Sequence, residues 1–336
     1  MRHDIHNHFL PEPYVDLLLE LDSPVGLEER DGELYMVHQR SGTSGVAGGN
    51  EIPVDDGFTQ MEARLEWMDE YDVGATAVGV STPNPLDEGF TTEQSTALIE
   101  AINDGYAAVQ DEYPNRFVGL GMLPLRDPDA AVAEVDRIVD DLGLRGISLP
   151  TSIGGTKVSI PELAPVFERI DELDLPVFFH PHGNRLSDDL NEDESFLNPL
   201  VIFPTETTLQ ITRLIYDGFF DTYNFDVVLP HMGGTLLHLI GRIDRARDTT
   251  QEAGAAPQEP IPNYLSRFYY DVISFHRPAL SAAIDSVGVE QFMFGTDYPF
   301  HEASVEATIA DIESVVDDES DLERIMSTNA EELLDI

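Results

Sequence analysis

DIHNHFLP, residues 4–11, opens the chain with a β-rich apolar run that ends on two histidines two positions apart. Alternate residues of a strand share a face, so His6 and His8 can present both imidazoles on one side. Seven further short apolar runs follow: Ala75–Ser81, Phe117–Leu123, Gly146–Pro150, Val177–His180, Asp226–Pro230, Phe268–Ile273 and Phe292–Gly295. Between them lie stretches with helical spacing, such as Glu93–Asp111, Pro128–Leu142, Pro161–Leu173, Thr207–Phe219 and Thr235–Arg247. Strands alternating with helices, and buried on both faces, imply a parallel sheet. Eight such units imply a closed α/β architecture, the (β/α)₈ TIM barrel. An open doubly wound sheet is the competing architecture, but the first turn carries no glycine-rich dinucleotide fingerprint.

The length, 336 residues, suits one such barrel with insertions, since about 250 residues is usual. Residues 1–336 are therefore expected to form a single domain, with no internal repeat and no linker. Residues 23–57 break the alternation after the first strand. Within them Gly26–Val37 reads as a hairpin turning at Asp31-Gly32. Ser41–Asn50, rich in glycine and serine, reads as a mobile loop over the C-terminal mouth of the barrel, and a helix follows from near Phe58. The acidic run Asp317–Asp321 reads as a solvated helix start.

Composition narrows the chemistry. Hydrophobic residues make up 42% of the chain, enough to bury a sizeable core. No run of about 18 apolar residues occurs, so no membrane span is expected. The opening MRHDIHNHFLP lacks the apolar stretch of a secretory leader. Without cysteine there are no disulfides, thiol nucleophiles or thiolate metal sites. Any transition metal must be held by histidine and carboxylate. The 64 acidic residues against 18 basic ones give a formal net charge of −46, and Lys157 is the sole lysine. The acids are dispersed along the chain, which reads as an acidic surface that needs salt to screen its self-repulsion. A protein of a halophile's cytoplasm is expected. Nucleic acid and anionic membranes are excluded as partners, because both call for clustered Lys and Arg.

The candidate chemistry lies at the ends of the apolar runs. His180 ends the fifth, in PVFFHPHG; His231 ends the sixth, in VVLPHMGG; Asp297 ends the eighth, in MFGTDYPF. Each alone reads as an ordinary polar strand end. Together with the His6–His8 pair they gather at the rim where barrel enzymes carry their chemistry. Three imidazoles and one carboxylate suit a divalent metal, most simply Zn²⁺, with an open position for water. His231 is the best candidate for a base beside that water, which leaves His6, His8, His180 and Asp297 as ligands; by residue type alone His231 fits a ligand position too. His182, Glu206, His276 and His301 lie near the same rim and carry a weaker case for a role. His3, His38 and His238 read as structural, and Trp67 as core.

The motifs DIHNHFLP, HPHG at 180–183, FPTETT at 203–208, LPHMGG at 229–234, GRIDR at 241–245 and GTDYPF at 295–300 together resemble the decarboxylase-like branch of the amidohydrolase superfamily. The resemblance covers nearly the whole chain. It implies that His6, His8, His180 and Asp297 hold one metal and that His231 moves a proton beside it. It also implies that Arg242 binds a substrate carboxylate, from the neighbouring subunit of a homodimer. A second substrate-binding arginine of the branch has no counterpart in GGNEIPV at 48–54, which carries Glu51; Arg40 is near but out of register. The aromatic residue that precedes the FPTETT motif is also replaced, with Ser195-Phe196 in that region. The implied activity is a non-oxidative decarboxylase acting on a small unsaturated or aromatic carboxylate, with no organic cofactor. The alternatives in the same site are a hydrolase of a lactone, ester or amide, and a hydratase. A non-catalytic metal-binding barrel fits less well, because a purely structural metal has no use for the base at His231.

Overall fold

The computed structural model describes residues 1–38, 51–182, 197–250, 257–300 and 305–336. Eight parallel strands run in sequence order: β1 (Arg2–His8), β2 (Val73–Gly79), β3 (Phe117–Gly121), β4 (Gly146–Pro150), β5 (Val177–His180), β6 (Val227–Leu229), β7 (Tyr269–Asp271) and β8 (Phe292–Met293). Each pairs with its neighbour in the sequence. The ring closes where the Ile5 amide donates to Phe294 O at 3.0 Å and the His8 amide to Tyr298 O at 2.8 Å. Closure on itself makes the sheet a barrel, as eight strand–helix units require.

The helices between strands arise from local signals. Thr92–Glu112 starts with a capping box, in which Thr91 and Gln94 satisfy each other's backbone amides. It buries Leu98, Ile99, Ile102 and Tyr106 at helical spacing. Pro128–Asp140 is capped by Asp127, whose side chain accepts from the Ala130 amide, and it buries Ala131, Val135 and Ile138. Phe203–Tyr216 begins four residues earlier than its apolar spacing indicates, so that FPTETT forms its first turns. The short helix Glu319–Glu323 is capped by Asp318, in agreement with the reading of the acidic run.

Two apolar layers position the site. One lies between the strands and the surrounding helices. The other fills the lower barrel with Ile5, Ala77, Val118, Leu120, Phe178, Val228 and Met293, and the C-terminal helix Asn329–Leu334 packs Ala330 and Leu334 against it. The lower barrel is therefore plugged, and the polar residues are left at the C-terminal rim.

The insertion after β1 builds a small sheet of its own. Val25–Arg30 pairs antiparallel with Glu33–His38 around Asp31-Gly32, both at positive φ, and Glu51–Val54 adds a third strand that its sequence did not announce. Ser41–Asn50 lies outside the described residues, as do His301, Arg40, Ser195 and Phe196. Among the described residues no helix is long and apolar enough to cross a membrane.

Candidate metal centre

His6 and His8 leave β1 on the same side, with their Nε2 atoms 3.2 Å apart. Each ring's other nitrogen is committed. His6 Nδ1 donates to Asp271 Oδ2 at 2.7 Å, and His8 Nδ1 donates to Gly79 O at 3.1 Å. A carboxylate and a carbonyl only accept, so Nδ1 of each ring carries a proton and, in a neutral ring, Nε2 is left as the lone-pair nitrogen. Two lone pairs at that distance repel unless a cation lies between them. His180, at the end of β5, repeats the arrangement: Nδ1 donates to Pro181 O at 2.8 Å, and its buried Nε2 has no hydrogen-bond partner among the described residues. Its ring centroid stands 5.2 Å from that of His6 and 5.1 Å from that of His8. Phe178 lies beneath, 5.1 Å from His6 and 6.1 Å from His180.

Asp297 follows β8 and adds the charge. Its Oδ1 lies 2.9 Å from His8 Nε2 and 3.4 Å from His6 Nε2. Its backbone sits at φ 62, a left-handed conformation uncommon for a residue with a side chain. The Asp297 amide donates to His6 O at 2.8 Å, which holds the turn against β1. His231 Nε2 stands 3.8 Å from Asp297 Oδ2, while its Nδ1 is buried without a partner. Potential ligand atoms of His6, His8 and His180 lie within 4.8 Å of one another, and so do those of His6, His231 and Asp297. The five residues singled out from the sequence thus meet at one point.

Protonation fits a cation. Burial, and then the neighbouring His8, His6 and His231, hold the His180 imidazolium well below its ordinary range. Burial likewise lowers His6. Burial works against ionisation of Asp297, but the surrounding His6, His231 and His8 hold its carboxyl well below the usual range. Neutral imidazoles around an ionised carboxylate are the state in which these groups bind metal. For His231 burial acts to lower the value, and the Asp297 carboxylate outweighs it, so His231 holds a proton more readily than a free imidazole.

The turn carrying His231 is built for its place. His231, Met232, Gly233 and Gly234 all have positive φ, from 52 to 68. A Cβ on Gly234 would lie 2.1 Å from Pro204 O, so only glycine fits there. Successive left-handed residues point their amides inward as an anion-binding nest. Asp271 occupies it: its Oδ2 accepts from the His231 amide at 2.7 Å and its Oδ1 from the Met232 amide at 2.8 Å. Asp271 was not singled out from sequence: the run read there, Phe268–Ile273, places it inside a strand, whereas the observed β7 ends on it. Arg64 was also missed. It is fully buried, donates to His8 O at 2.8 Å, Gly57 O at 2.7 Å and Asn7 Oδ1, and lies over the rings of Phe9 and Tyr298. It clamps the helix Met61–Glu70 onto the end of β1.

The cluster opens on a cavity of about 430 Å³, a size suited to a small ligand. Ile52, Leu200, Phe203, Ile273 and Phe300 make much of its wall, with His182, Ser81, Thr82 and Ser274 as polar points. Among the described residues no arginine or lysine lines it. Arg242 is exposed on the helix Leu236–Thr250 and does not reach its own chain's cavity. His276 and His238 are exposed, while His3 bridges Glu331 and the Ala75 amide. Trp67 is core, stacked 4.0 Å from the ring of Tyr298. Glu206 is buried, accepts from Ser152 Oγ at 2.6 Å and Gln210 Nε2 at 3.1 Å, and keeps Oε2 unpartnered.

Known proteins share this arrangement of chain. The chain is 30% identical over 251 residues to 2-amino-3-carboxymuconate-6-semialdehyde decarboxylase of Dictyostelium discoideum, covering 74% of the chain and 68% of the relative. It is 29% identical to γ-resorcylate decarboxylase of Rhodococcus jostii, covering 80% and 86%. The structure superposes on the apo form of IDCase from Metarhizium anisopliae with TM-score 0.87 at 24% identity, over 100% and 97% of the two chains. It superposes on 5-carboxyvanillate decarboxylase of Novosphingobium aromaticivorans, solved with bound manganese, with TM-score 0.83 at 20% identity over 100% and 97%. The sequence profile of the amidohydrolase family matches residues 3–336, and the chain belongs to that family.

Proposed function

We propose that this chain is a metal-dependent, non-oxidative decarboxylase of a small unsaturated or aromatic carboxylate, with one divalent ion held by His6, His8, His180 and Asp297. The observation that carries the metal is the convergence of imidazole Nε2 atoms beside the Asp297 carboxylate, with the buried Nε2 of His180 lacking a hydrogen-bond partner among the described residues. The reaction class draws on two decarboxylases to which the chain is similar over most of its length. Three nitrogens and one oxygen favour zinc, although neighbouring structures of two decarboxylases hold manganese. Lys157, paired with Asp217 at 2.6 Å, is away from the cluster and cannot bridge a second metal as a carboxylated lysine. One ion per chain follows.

When bound, the metal supplies an electrophilic centre that offsets negative charge on the substrate. The chain's own residues do the rest. The apolar wall seats a flat, unsaturated body and excludes water. The carboxylate carbon leaves as CO₂, its bonding electrons stay on the ring or alkene carbon, and a proton from His231, replenished by solvent, takes its place there. His231 suits this because Asp297 beside it favours its protonated form. Because no cationic side chain lines the cavity among the described residues, Arg242 of a second copy is the proposed partner for a substrate anion, in a homodimer. The acidic surface belongs, in this reading, to a cytoplasm of high salt. Turnover of a panel of hydroxybenzoates and carboxylated dienes in D₂O is the direct check: one deuterium must appear at the carbon that lost CO₂. Product without it would refute His231-assisted proton replacement.

A further inference from the structure

His182 takes no part in the metal cluster, yet it is built into the cavity wall as firmly as the residues that do. Its Nε2 donates to Asp87 Oδ1 at 2.6 Å, and both residues are buried. Asp87 lies in the loop after β2, so this contact ties the rim at β5 to the rim at β2. That loop is braced: the Asp87 amide donates to Asn84 O at 2.9 Å, the Leu86 amide to Asn84 Oδ1 at 2.9 Å, and Tyr14 Oη to Pro83 O at 2.5 Å. The imidazole therefore has a fixed place and a fixed orientation.

The bond to Asp87 also fixes which nitrogen does what. A carboxylate only accepts, so Nε2 carries the proton in every state of the ring. Nδ1 is left over, and it makes no hydrogen bond among the described residues. In a wall that is largely apolar, a rigidly held polar atom with no partner among the described residues is a recognition point. We propose that His182, oriented by Asp87, reads a hydroxyl group on the substrate ring, separate from the carboxylate that is lost. A hydroxyl is the group that fits. It both donates and accepts, so it pairs with Nδ1 whether or not that atom is protonated. An apolar substituent would leave Nδ1 unpaired against a largely apolar wall.

This inference rests on the decarboxylase reading for the identity of the ring, but its test reads binding and not turnover. The metal-loaded full chain is titrated calorimetrically with benzoate, 2-, 3- and 4-hydroxybenzoate and 2,6-dihydroxybenzoate. The same titrations are made on His182→Phe, which keeps a ring and removes Nδ1, and on Asp87→Asn, which frees the tautomer. Metal content and thermal melting establish that each variant is folded; should His182→Phe fail there, His182→Leu takes its place. At least one hydroxylated benzoate should bind wild type about 10- to 100-fold more tightly than benzoate, as expected when a site's polar atom is otherwise left unpaired. In the His182 variant that ratio should collapse to within about threefold, with benzoate itself little changed; Asp87→Asn should lose part of it. A wild type indifferent to the hydroxyl, or a His182 variant that keeps the preference, would overturn the proposal. If the preference depends on His182 and yet no substrate loses CO₂, the fault lies with the assigned reaction and not with this residue.

Discussion

Asp271 Oδ2 accepts a hydrogen bond from His6 Nδ1 at 2.7 Å, and the same oxygen accepts from the His231 amide at 2.7 Å. One carboxylate thus orients a proposed metal ligand and anchors the turn that carries the proposed proton donor. Partners of this kind fix a ligand's tautomer and raise its basicity, and losing them typically costs about 10- to 100-fold in metal affinity. Asp271→Asn should therefore weaken metal binding by about that factor, because an amide turns a donor toward at least one of the four donors it must face, His6 Nδ1 and the amides of His231, Met232 and Ile273. Competition against a chelator of known affinity reads it. An affinity within twofold of wild type would contradict the assignment.

Removal of His231 separates ligand from proton carrier. His231→Ala should keep its metal and lose about 10²- to 10⁴-fold in turnover, the range typical of a general acid or base. His180→Ala and Asp297→Ala should lose metal as well. Elemental analysis alongside rates distinguishes the two cases. A metal-free His231→Ala with fully loaded Asp297→Ala would invert the ligand set.

Much of this site was legible because its chemistry is concentrated at strand ends. His6, His8, His180, His231 and Asp297 each terminate an apolar run, and barrel closure brings all such ends to one rim. Hydrogen bonds that join distant segments were not legible. Nothing local tells that Asp87 will meet His182, 95 positions away, or that Arg64 will reach back to Asn7 and His8. Asp271 ends the observed β7 but falls inside the run Phe268–Ile273, and its task, filling the nest at 231–232, depends on backbone angles that a sequence does not display. The third strand of the insertion, Glu51–Val54, is short and holds a proline, so its period-two signal was too weak to read.

Arg242 gives a test of the second subunit. It is exposed and, among the described residues, makes no ion pair, whereas nearby Asp244 faces Arg247 at 3.9 Å and accepts from the Ile261 amide at 2.9 Å. Arg242→Ala should raise KM for a carboxylate substrate by one to two decades, the loss of a charge-assisted contact of about 1.5–3 kcal/mol, and leave metal content unchanged. Mixing Arg242→Ala with His231→Ala chains should restore activity, since one site of each mixed dimer is then intact. Failure to restore it, with KM raised, would place the arginine's action within its own chain.

Salt should stabilise the fold. With a formal net charge of −46 the surface repels itself, and the screening length shrinks from about 10 Å at 0.1 M to about 3 Å at 1 M salt. The melting temperature should climb through molar salt. A flat profile would disconnect the acidity from salt adaptation.

The His6, His8, His180 and Asp297 cluster should bind one metal, and that metal should be required for loss of CO₂. The most direct measurement is CO₂ release from carboxyl-labelled 2,6-dihydroxybenzoate and a panel of carboxylated dienes and hydroxybenzoates. Each is assayed with loaded, chelator-stripped and reloaded protein whose metal content is known. About one ion per chain is expected, with labelled CO₂ from at least one substrate, loss of release on stripping and its return on reloading. Full metal occupancy with no CO₂ from any of them, while a lactone or ester yields a new carboxylate, would contradict this expectation.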